Sequence, residues 1–346
     1  IPQRPAARQP IYELLIHNCP RMASNNILHP LAEALGTTDE MLRLYCAIIG
    51  LVLLGLGFHS KSDRRGSIAA PGWIMLGFYF FLDTPHYVEI EDPVLILMSA
   101  AALPLSIAIA VWAVRTEREG TDEPALVWFR GCTFWAATPY LLVSWVPNMA
   151  LAVVWITAWQ GIFFLRISGV ADLSLGEARV NYADGSSGLF SEFQGNPWLY
   201  LEPLGEGGFY IPILTESGGS AGISIILACS ALQSMIVFVG ALVALRGVSW
   251  KLRARAFIIT LPVIHLLNTF RNAGIIYLDM SYREWNWFDI GMFDFAHSYA
   301  AKFGSLVAMF AMAIVLFELL PTLHSHVLRL MEPIIKMFTR ASAVEP

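Results

Sequence analysis

Three residue types that together suit covalent catalysis occur in separate apolar stretches of the C-terminal half. Cys229 lies in the run 222–238, which its composition predicts to be an apolar helix. Arg271 follows in LLNTFRNAGIIY and His297 in FDFAHSYAAKFGSL. A guanidinium and an imidazolium beside a thiol would favour its charged form and lower its pKa. In acyl transfer, Arg271 would hold the oxyanion and His297 would act as base or acid.

Each of the three residues also has a plainer interpretation. A cysteine in a membrane helix is usually a small, inert packing residue. An arginine at a helix end can be an anchor that extends to the interface. His297 can be a capping or interfacial side chain. The topology of the chain decides between these interpretations, because only a common depth would let the three meet.

The amino-acid composition indicates whether these residues lie in a membrane protein or in a soluble one. Hydrophobic residues make up 56% of the 346 positions and charged residues only 14%, and the mean hydropathy is +0.57. A soluble domain has about a quarter of its residues charged. The sequence therefore predicts an all-α polytopic membrane protein with about seven or eight transmembrane helices.

Apolar runs and charged loops predict the orientation. The runs cover 43–58, 68–83, 93–114, 125–145, 147–167, 222–245, 256–273 and 295–320. Basic residues follow the first, third, sixth and last runs, and these segments are expected to be cytoplasmic. The opposite loops are acidic and are expected to face outward: 84–92, with Glu89, Glu91 and Asp92, and 169–221, with Asp172, Glu177, Asp184, Glu192, Glu202, Glu206 and Glu216.

Run 147–167 does not fit a simple alternation of crossings. If it crossed fully after 125–145, the long acidic loop would be cytoplasmic. The simplest solution is that 147–167, which carries Trp155, Trp159 and Gln160, lies in the outer interface or re-enters without crossing. In the alternative, 125–167 forms two spans and another run fails to cross. The last three spans keep their orientation in either case.

This orientation brings the three candidate residues to one depth. The sixth run passes inward, so Cys229 lies near its outer end. The seventh run rises to Arg271 and the eighth begins at His297, both on the outer side. Three amides are candidate supporting donors or interhelical hydrogen-bond partners. Gln233 is predicted one turn beyond Cys229 on the same helical face, and Asn268 and Asn272 flank Arg271.

The ordered stretches ACSALQSM, NTFRNAGI and AHSYAAKFGSL resemble the exosortase/archaeosortase family, with the archaeosortase A branch as the closest resemblance. The resemblance covers roughly 222–320. The family's cysteine and first arginine match Cys229 and Arg271. Its third position is Arg in some archaeosortases and His in exosortases, and the matching residue here is His297. An arginine cannot act as a base, so the role of this third position differs within the family.

The resemblance implies a membrane-embedded cysteine transpeptidase, or peptidase, of archaeal type at the cell membrane, with its active site on the extracytoplasmic side. Its partners would be C-terminal tails of secreted surface proteins, each with a Pro-Gly-Phe type signature, a transmembrane helix and a basic end. A thioester on the cysteine would pass to an amine-bearing membrane lipid or to water. No cofactor is implied.

The remaining segments have predicted roles around this site. Residues 1–40 form an N-terminal arm, 41–320 the membrane domain with its catalytic part at 222–320, and 321–346 a cytoplasmic tail. The loop 169–221 is expected to contain a small β-hairpin. The loop 274–294 is predicted to form an aromatic belt beside the site, in which Tyr277, Tyr282, Trp285 and Trp287 alternate with Asp279, Asp289 and Asp294.

Other classes of function receive less support. The cysteines Cys19, Cys46, Cys132 and Cys229 lack paired spacing, so neither a disulfide framework nor a metal site is predicted. A nucleic-acid partner is not expected, because no basic run interleaves with aromatic residues. A transporter would place its ionisable residues at mid-membrane on inverted repeats. A non-catalytic scaffold would tolerate the replacement of Cys229.

Overall fold

A computed structural model describes residues 29–89, 93–121, 123–200, 204–288 and 290–342. The first 28 residues of the predicted N-terminal arm lie outside these ranges. Four acidic residues of the predicted outer loops also lie outside the described residues: Glu91, Asp92, Glu202 and Asp289.

Helices make up most of the described chain, and along the sequence the strands of a β-sheet lie between two groups of helices. The helices are α1 (His29–Ala34), α2 (Asp39–His59), α3 (Arg65–Phe81), α4 (Thr84–Glu89), α5 (Pro93–Arg118), α6 (Pro124–Trp145), α7 (Pro147–Ile167), α8 (Leu232–Val243), α9 (Trp250–Ser281), α10 (Met292–Leu319) and α11 (Pro321–Ser342). The strands are β1 (Leu173–Leu175), β2 (Arg179–Tyr182), β3 (Ser187–Leu189), β4 (Leu204–Thr215), β5 (Ser220–Ile226), β6 (Asn286–Trp287) and β7 (Ile290–Gly291).

The prediction of a mostly helical, polytopic membrane protein is confirmed. Within the described ranges, four helices are long and apolar enough to cross a membrane: α2 from Met41, α5, α7 and α10. Helix α8 is apolar but shorter. Helix α3 has only 17 residues, and α6 and α9 are not among the four, so the count of such helices is smaller than the seven or eight predicted spans.

Glycines allow the helices to approach closely. A Cβ added at Gly72 in α3 would lie 2.8 Å from the carbonyl oxygen of Gly50 in α2. A Cβ at Gly240 in α8 would lie 2.4 Å from the carbonyl oxygen of Cys132 in α6. Small residues at such contacts are typical of helix packing in membranes. The α6–α8 contact matters for the site, because α8 begins just after Cys229.

Arginines mark one end of the bundle, which we call the basic end. The side chain of Arg130 is only 2% exposed, and its Nη1 donates to the Gly57 carbonyl at 2.9 Å. Arg246 donates to the Phe58 carbonyl, and Arg253 donates to the Val243 carbonyl at 3.2 Å. These side chains satisfy carbonyl groups at the C-terminal ends of α2 and α8, which lack partners within their helices.

The predicted C-terminal tail contains a helix that packs on the basic end. Leu323 of α11 is buried. The ring of His326 stacks on Trp128 of α6, with 5.6 Å between the ring centroids. Arg329 forms an ion pair with Glu123 at 3.2 Å. Helix α11 therefore follows α10 directly and lies against the start of α6.

The acidic loop contains a larger element than the predicted hairpin. Strands β1 to β5 form an antiparallel sheet in which β4 pairs with β1 and β2 on one side and with β5 on the other. Strand β3 pairs with β2. Isoleucines from β4 and β5 pack against one face of α7, and the cluster includes Ile211, Ile213, Ile223, Ile225, Val154, Ala158 and Ile162. The sheet thus shares a hydrophobic core with the helices.

The run 222–245 is not one helix, so this prediction is wrong. Its first part is strand β5, in which exposed and buried side chains alternate. A single 3-10 turn, Leu227–Ser230, follows, and α8 begins only at Leu232. The sequence GISII has β-branched residues at alternate positions, which suit a pleated strand with one buried face. Because the whole run 222–245 is apolar, its hydrophobicity does not show that side chains alternate with a period of two in its first part.

Run 147–167 forms the continuous helix α7. It meets the length and hydropathy of a membrane span, although its two ends connect to the same end of the bundle. It begins two residues after α6 ends, and its C-terminus leads to β1, whose sheet returns through β5 to the start of α8. Main-chain bonds from Asn148 to Pro197 and from Tyr200 to Trp145 join the sheet loop to this junction. The prediction that 147–167 does not cross stays a prediction, which this connectivity supports.

Candidate active site

Cys229 lies on a sharp turn between strand β5 and helix α8. The Ser230 hydroxyl donates to the Leu227 carbonyl at 2.7 Å and accepts from the Leu232 amide at 3.2 Å, so it fixes both sides of the turn. Ala231 has φ of 57°. This left-handed conformation is rare for a residue with a Cβ and costs about 1 kcal/mol or more. The turn therefore contains local strain directly after the candidate nucleophile.

Two buried asparagines of α9 hold the main chain of Cys229. The side-chain amides of Asn268 and Asn272 donate to the Cys229 carbonyl at 2.7 and 2.8 Å. Their exposed fractions are 9% and 3%. In a continuous helix, this carbonyl would accept the amide of Gln233. The two asparagines occupy both of its lone pairs instead, and this arrangement is consistent with α8 starting only after Cys229.

Arg271 lies on the same turn of α9, between the two asparagines. Its side chain is half-buried, and its Nε atom is buried without a hydrogen-bond partner among the described residues. Its charge acts on the thiol of Cys229 and on the ring of His297. Arg271 thus lies within electrostatic range of both other candidate residues.

His297 lies near the start of α10, in the π-helical segment Phe295–Ala300. Its ring stacks on Phe293, with 5.4 Å between the centroids and 5° between the planes. Segments of π-helix are frequent at functional sites, because the extra residue redirects the side chains. Within the described residues, the side chains of Cys229, Arg271 and His297 make no direct hydrogen bonds to one another.

The electrostatic balance at Cys229, which lies outside the membrane-spanning helices, differs from the expectation. Burial raises the pKa of the Cys229 thiol, and this effect outweighs two opposing ones. A hydrogen bond from the backbone of Ile226 and the charge of Arg271 both lower the pKa. The net pKa is raised, so the predicted net lowering is wrong for the ligand-free protein. Removal from water disfavours the Cys229 thiolate more strongly than the Ile226 hydrogen bond and the Arg271 charge together favour it.

A family model described as transmembrane exosortase matches residues 42–317. The chain belongs to the transmembrane exosortase family. A search of curated proteins and a search of solved structures each returned no match.

The region that matches the family model includes both the helices and the sheet of this exosortase. The match begins in α2, ends in α10 and includes all three candidate residues. The resemblance of the motifs covers roughly 222–320, and the family match extends it towards the N-terminus. The archaeosortase A branch in particular stays a prediction.

Gln233 of the exosortase does not occupy the predicted position beside Cys229. Its side chain is exposed, and its Nε2 donates to the hydroxyl of Tyr140 in α6 at 2.8 Å. The prediction assumed an α-helix from Cys229 to Gln233, which would put both on one face. Because Cys229 precedes the helix, this helical relation does not exist. The observed bond joins α8 to α6.

The aromatic residues expected around the site are exposed, as a belt requires. Tyr277 and Tyr282 are 41% and 50% exposed, and Trp285 and Trp287 are 36% and 54% exposed. Tyr277 lies within α9, which extends further than the predicted run 256–273, and Trp287 belongs to the short β6–β7 hairpin. Of the acidic residues in this loop, Asp279 forms an ion pair with Arg283 at 3.1 Å.

Sequence reasoning missed two features that shape the site. One is the backbone of Ile226, which forms a hydrogen bond with the Cys229 thiol. The other is the left-handed Ala231. The alternation of GISII contained the signal for the first, because a strand that ends at Ile226 brings its last main-chain groups close to Cys229. No sequence signal pointed to Ala231, since glycine or asparagine is the usual residue in this conformation.

Proposed function

We propose that this exosortase is a cysteine transpeptidase of the archaeosortase type, with Cys229 as nucleophile and Arg271 and His297 as its partners. The observation that supports this most directly is the double hydrogen bond from Asn268 and Asn272 to the Cys229 carbonyl. It connects the main chain of the nucleophile to the helix that carries Arg271. A packing cysteine would not need such a fixed position.

The proposed reaction starts at a peptide bond in the tail of a secreted surface protein. The sulfur of Cys229 attacks the carbonyl carbon and a tetrahedral oxyanion forms, to which Arg271 donates from its guanidinium. The C–N bond then breaks, a thioester remains on Cys229, and the membrane helix of the tail leaves as a free amine that takes up a proton. His297 serves this step either by proton transfer or by its electrostatic field.

The thioester is then resolved by an acceptor with a nucleophilic group. The primary amine of a membrane lipid would attack the thioester carbon, release the thiol and leave the protein linked to the lipid by an amide. Water in the same role would give simple cleavage. We propose the lipid as the acceptor, because the site is built between helices of a membrane protein.

The location of the site agrees with such a substrate. The tail helix of the substrate would lie in the bilayer and present its outer end at the depth of Cys229. The arginine-rich loops lie at the other end of the bundle. By the positive-inside rule, the basic end is cytoplasmic and Cys229 faces the extracytoplasmic side.

The test is the replacement of Cys229 in the native host. We expect Cys229→Ala to abolish the processing of a tail-bearing surface protein, which would keep its full size and take up no lipid label. Cys46→Ala, which removes a half-buried cysteine of α2, is the matched control and should process normally. Normal processing by Cys229→Ala would exclude the proposed function.

A further inference from the structure

Strand β5 has one edge without a strand partner. It pairs with β4 on one side, and no other described strand pairs with its second side. The main-chain groups on such an edge are a template for the addition of a further strand. Strand β5 ends at Ile226, three residues before Cys229. The free edge therefore leads directly to the candidate nucleophile.

The pairing of β5 with β4 shows which main-chain groups face this edge. Ser224 lies opposite Pro212 of β4. Pro212 has no N–H, and its carbonyl accepts the amide of Gly176 on the far side of β4 at 2.8 Å. Residues directly opposite each other in an antiparallel pair either exchange hydrogen bonds or both point their groups away. The N–H and C=O of Ser224 thus point away from β4, onto the free edge.

The two limits of the free edge are also visible. At its end lies Ile226, two residues after Ser224, so its main-chain groups face the same edge. The Ile226 backbone forms the hydrogen bond with the Cys229 thiol. At its start, the side chain of Arg283 donates to the Ala221 carbonyl. A side chain thus satisfies the main chain where the strand begins. Between these limits, Ser224 is exposed and makes no backbone hydrogen bond outside the ladder among the described residues.

We propose that the extended segment of the tail that precedes its membrane helix binds as an added strand along the free edge of β5. This inference rests on the proposed function, since the bound peptide is its substrate. Main-chain hydrogen bonds give such binding its affinity, largely independently of the side chains. The added strand would run towards Cys229 and deliver a peptide carbonyl to the sulfur. An extended backbone also leaves that carbonyl accessible to attack.

One test removes the N–H of Ser224 and leaves the β4 ladder intact. Proline is tolerated on edge strands where its missing N–H faces outward. We expect Ser224→Pro to process tails at least about ten-fold more slowly than Ser224→Ala, which keeps the N–H, because one hydrogen bond to the substrate is lost. Equal thermal unfolding of the two variants would establish that both are folded. Equal processing rates would overturn the proposal.

A second test modifies the substrate and does not depend on the folding of a variant. Synthetic tails carry one N-methylated residue at successive positions before the membrane helix and are processed by the wild-type protein in lipid nanodiscs. An added strand predicts that the rate falls about ten-fold at every second position only. An equal effect at all positions, or none, would overturn the proposal. Failure of the proposed function itself would appear differently, as processing that survives Cys229→Ala.

Discussion

At the scale of single residues, the site depends on a cysteine whose surroundings do not by themselves make it a thiolate. Burial raises the pKa of the thiol, and the Ile226 backbone and the Arg271 charge oppose this effect only in part. Arg271 also has a buried Nε without a partner among the described side chains. The Arg271 charge alone therefore does not make the Cys229 thiol a thiolate in the ligand-free protein, and the role that we propose for Arg271 is to hold the developing oxyanion.

The role proposed for Arg271 predicts that lysine cannot replace it. A guanidinium offers several donors in a fixed plane, whereas an ammonium is a single point charge. The loss of one oxyanion donor typically lowers the rate by about 10²–10³-fold. We expect Arg271→Lys to reduce tail processing by this order, measured as single-turnover cleavage. Arg166→Lys is the matched control, since the Arg166–Asp172 ion pair is exposed and such pairs contribute little. Processing by Arg271→Lys at the control rate would exclude the oxyanion role.

The raised pKa of the Cys229 thiol predicts a pH dependence that requires no substrate. Only the thiolate reacts with iodoacetamide, so the alkylation rate should still be rising at pH values above the ordinary thiol pKa of about 8.5. Arg271→Ala removes an influence that lowers the pKa and should move the midpoint further up. The measurement uses a variant in which Cys19, Cys46 and Cys132 are replaced by alanine. A midpoint below the ordinary value would contradict the predicted direction.

At the scale of elements, helix α9 holds the turn that follows strand β5. Asn268 and Asn272 are one helical turn apart and contact the same carbonyl, so the position of α9 sets the position of Cys229. Helix α10 supplies His297 from its π-helical segment. The site is thus assembled from a strand end and two helices, and none of these elements carries all of the candidate residues.

The asparagine contacts predict a coupled effect on stability and reactivity. Asn268→Ala and Asn272→Ala should each lower the free energy of unfolding by about 1–3 kcal/mol, since each removes a buried hydrogen bond. The double variant should depart from additivity, because the two amides share one acceptor. Alkylation of Cys229 should also change in rate, which a purely structural role elsewhere would not cause. The matched control is Gln233→Ala, whose exposed bond to Tyr140 should leave Cys229 alkylation unchanged.

At the scale of the whole molecule, the two ends of the bundle differ in chemistry. The basic end has arginines on helix carbonyls and carries α11, whereas the other end carries the sheet, the aromatic residues and Cys229. Helix α6 and helix α8 pack against each other through Trp128, whose Nε1 donates to the Ala241 carbonyl at 2.9 Å. The start of α8 therefore lies at the same end as the C-terminus of α6.

The proposed sidedness predicts which positions a membrane-impermeant thiol reagent reaches. Ser217 lies in the exposed β4–β5 turn and Ser62 lies in the exposed loop after α2. In a background without native cysteines, Ser217→Cys should react in intact cells. Ser62→Cys should react only after permeabilisation, because its loop belongs to the basic end. The reverse labelling pattern would place the site on the cytoplasmic side and exclude surface-protein tails as substrates.

The sequence by itself determined the membrane class, the helical fold and the three candidate residues. Composition and apolar runs carry the first two, because a bilayer admits little else. The three candidate residues follow from the charged loops, because the orientation that these loops predict places Cys229, Arg271 and His297 at one end. The sheet between α7 and α8 was predicted only as a hairpin, because its strands pair across the long loop and local patterns do not show which strands are partners.

Only the tertiary structure decided the conformation around Cys229. A run of apolar residues satisfies a buried strand as well as a membrane helix, so hydrophobicity alone assigned 222–245 to the wrong element. The contacts with β4 and α7 select the strand, and the amides of Asn268 and Asn272 hold the turn outside α8. The physical reason is that the Cys229 carbonyl has two lone pairs, and residues some forty positions away fill both of them.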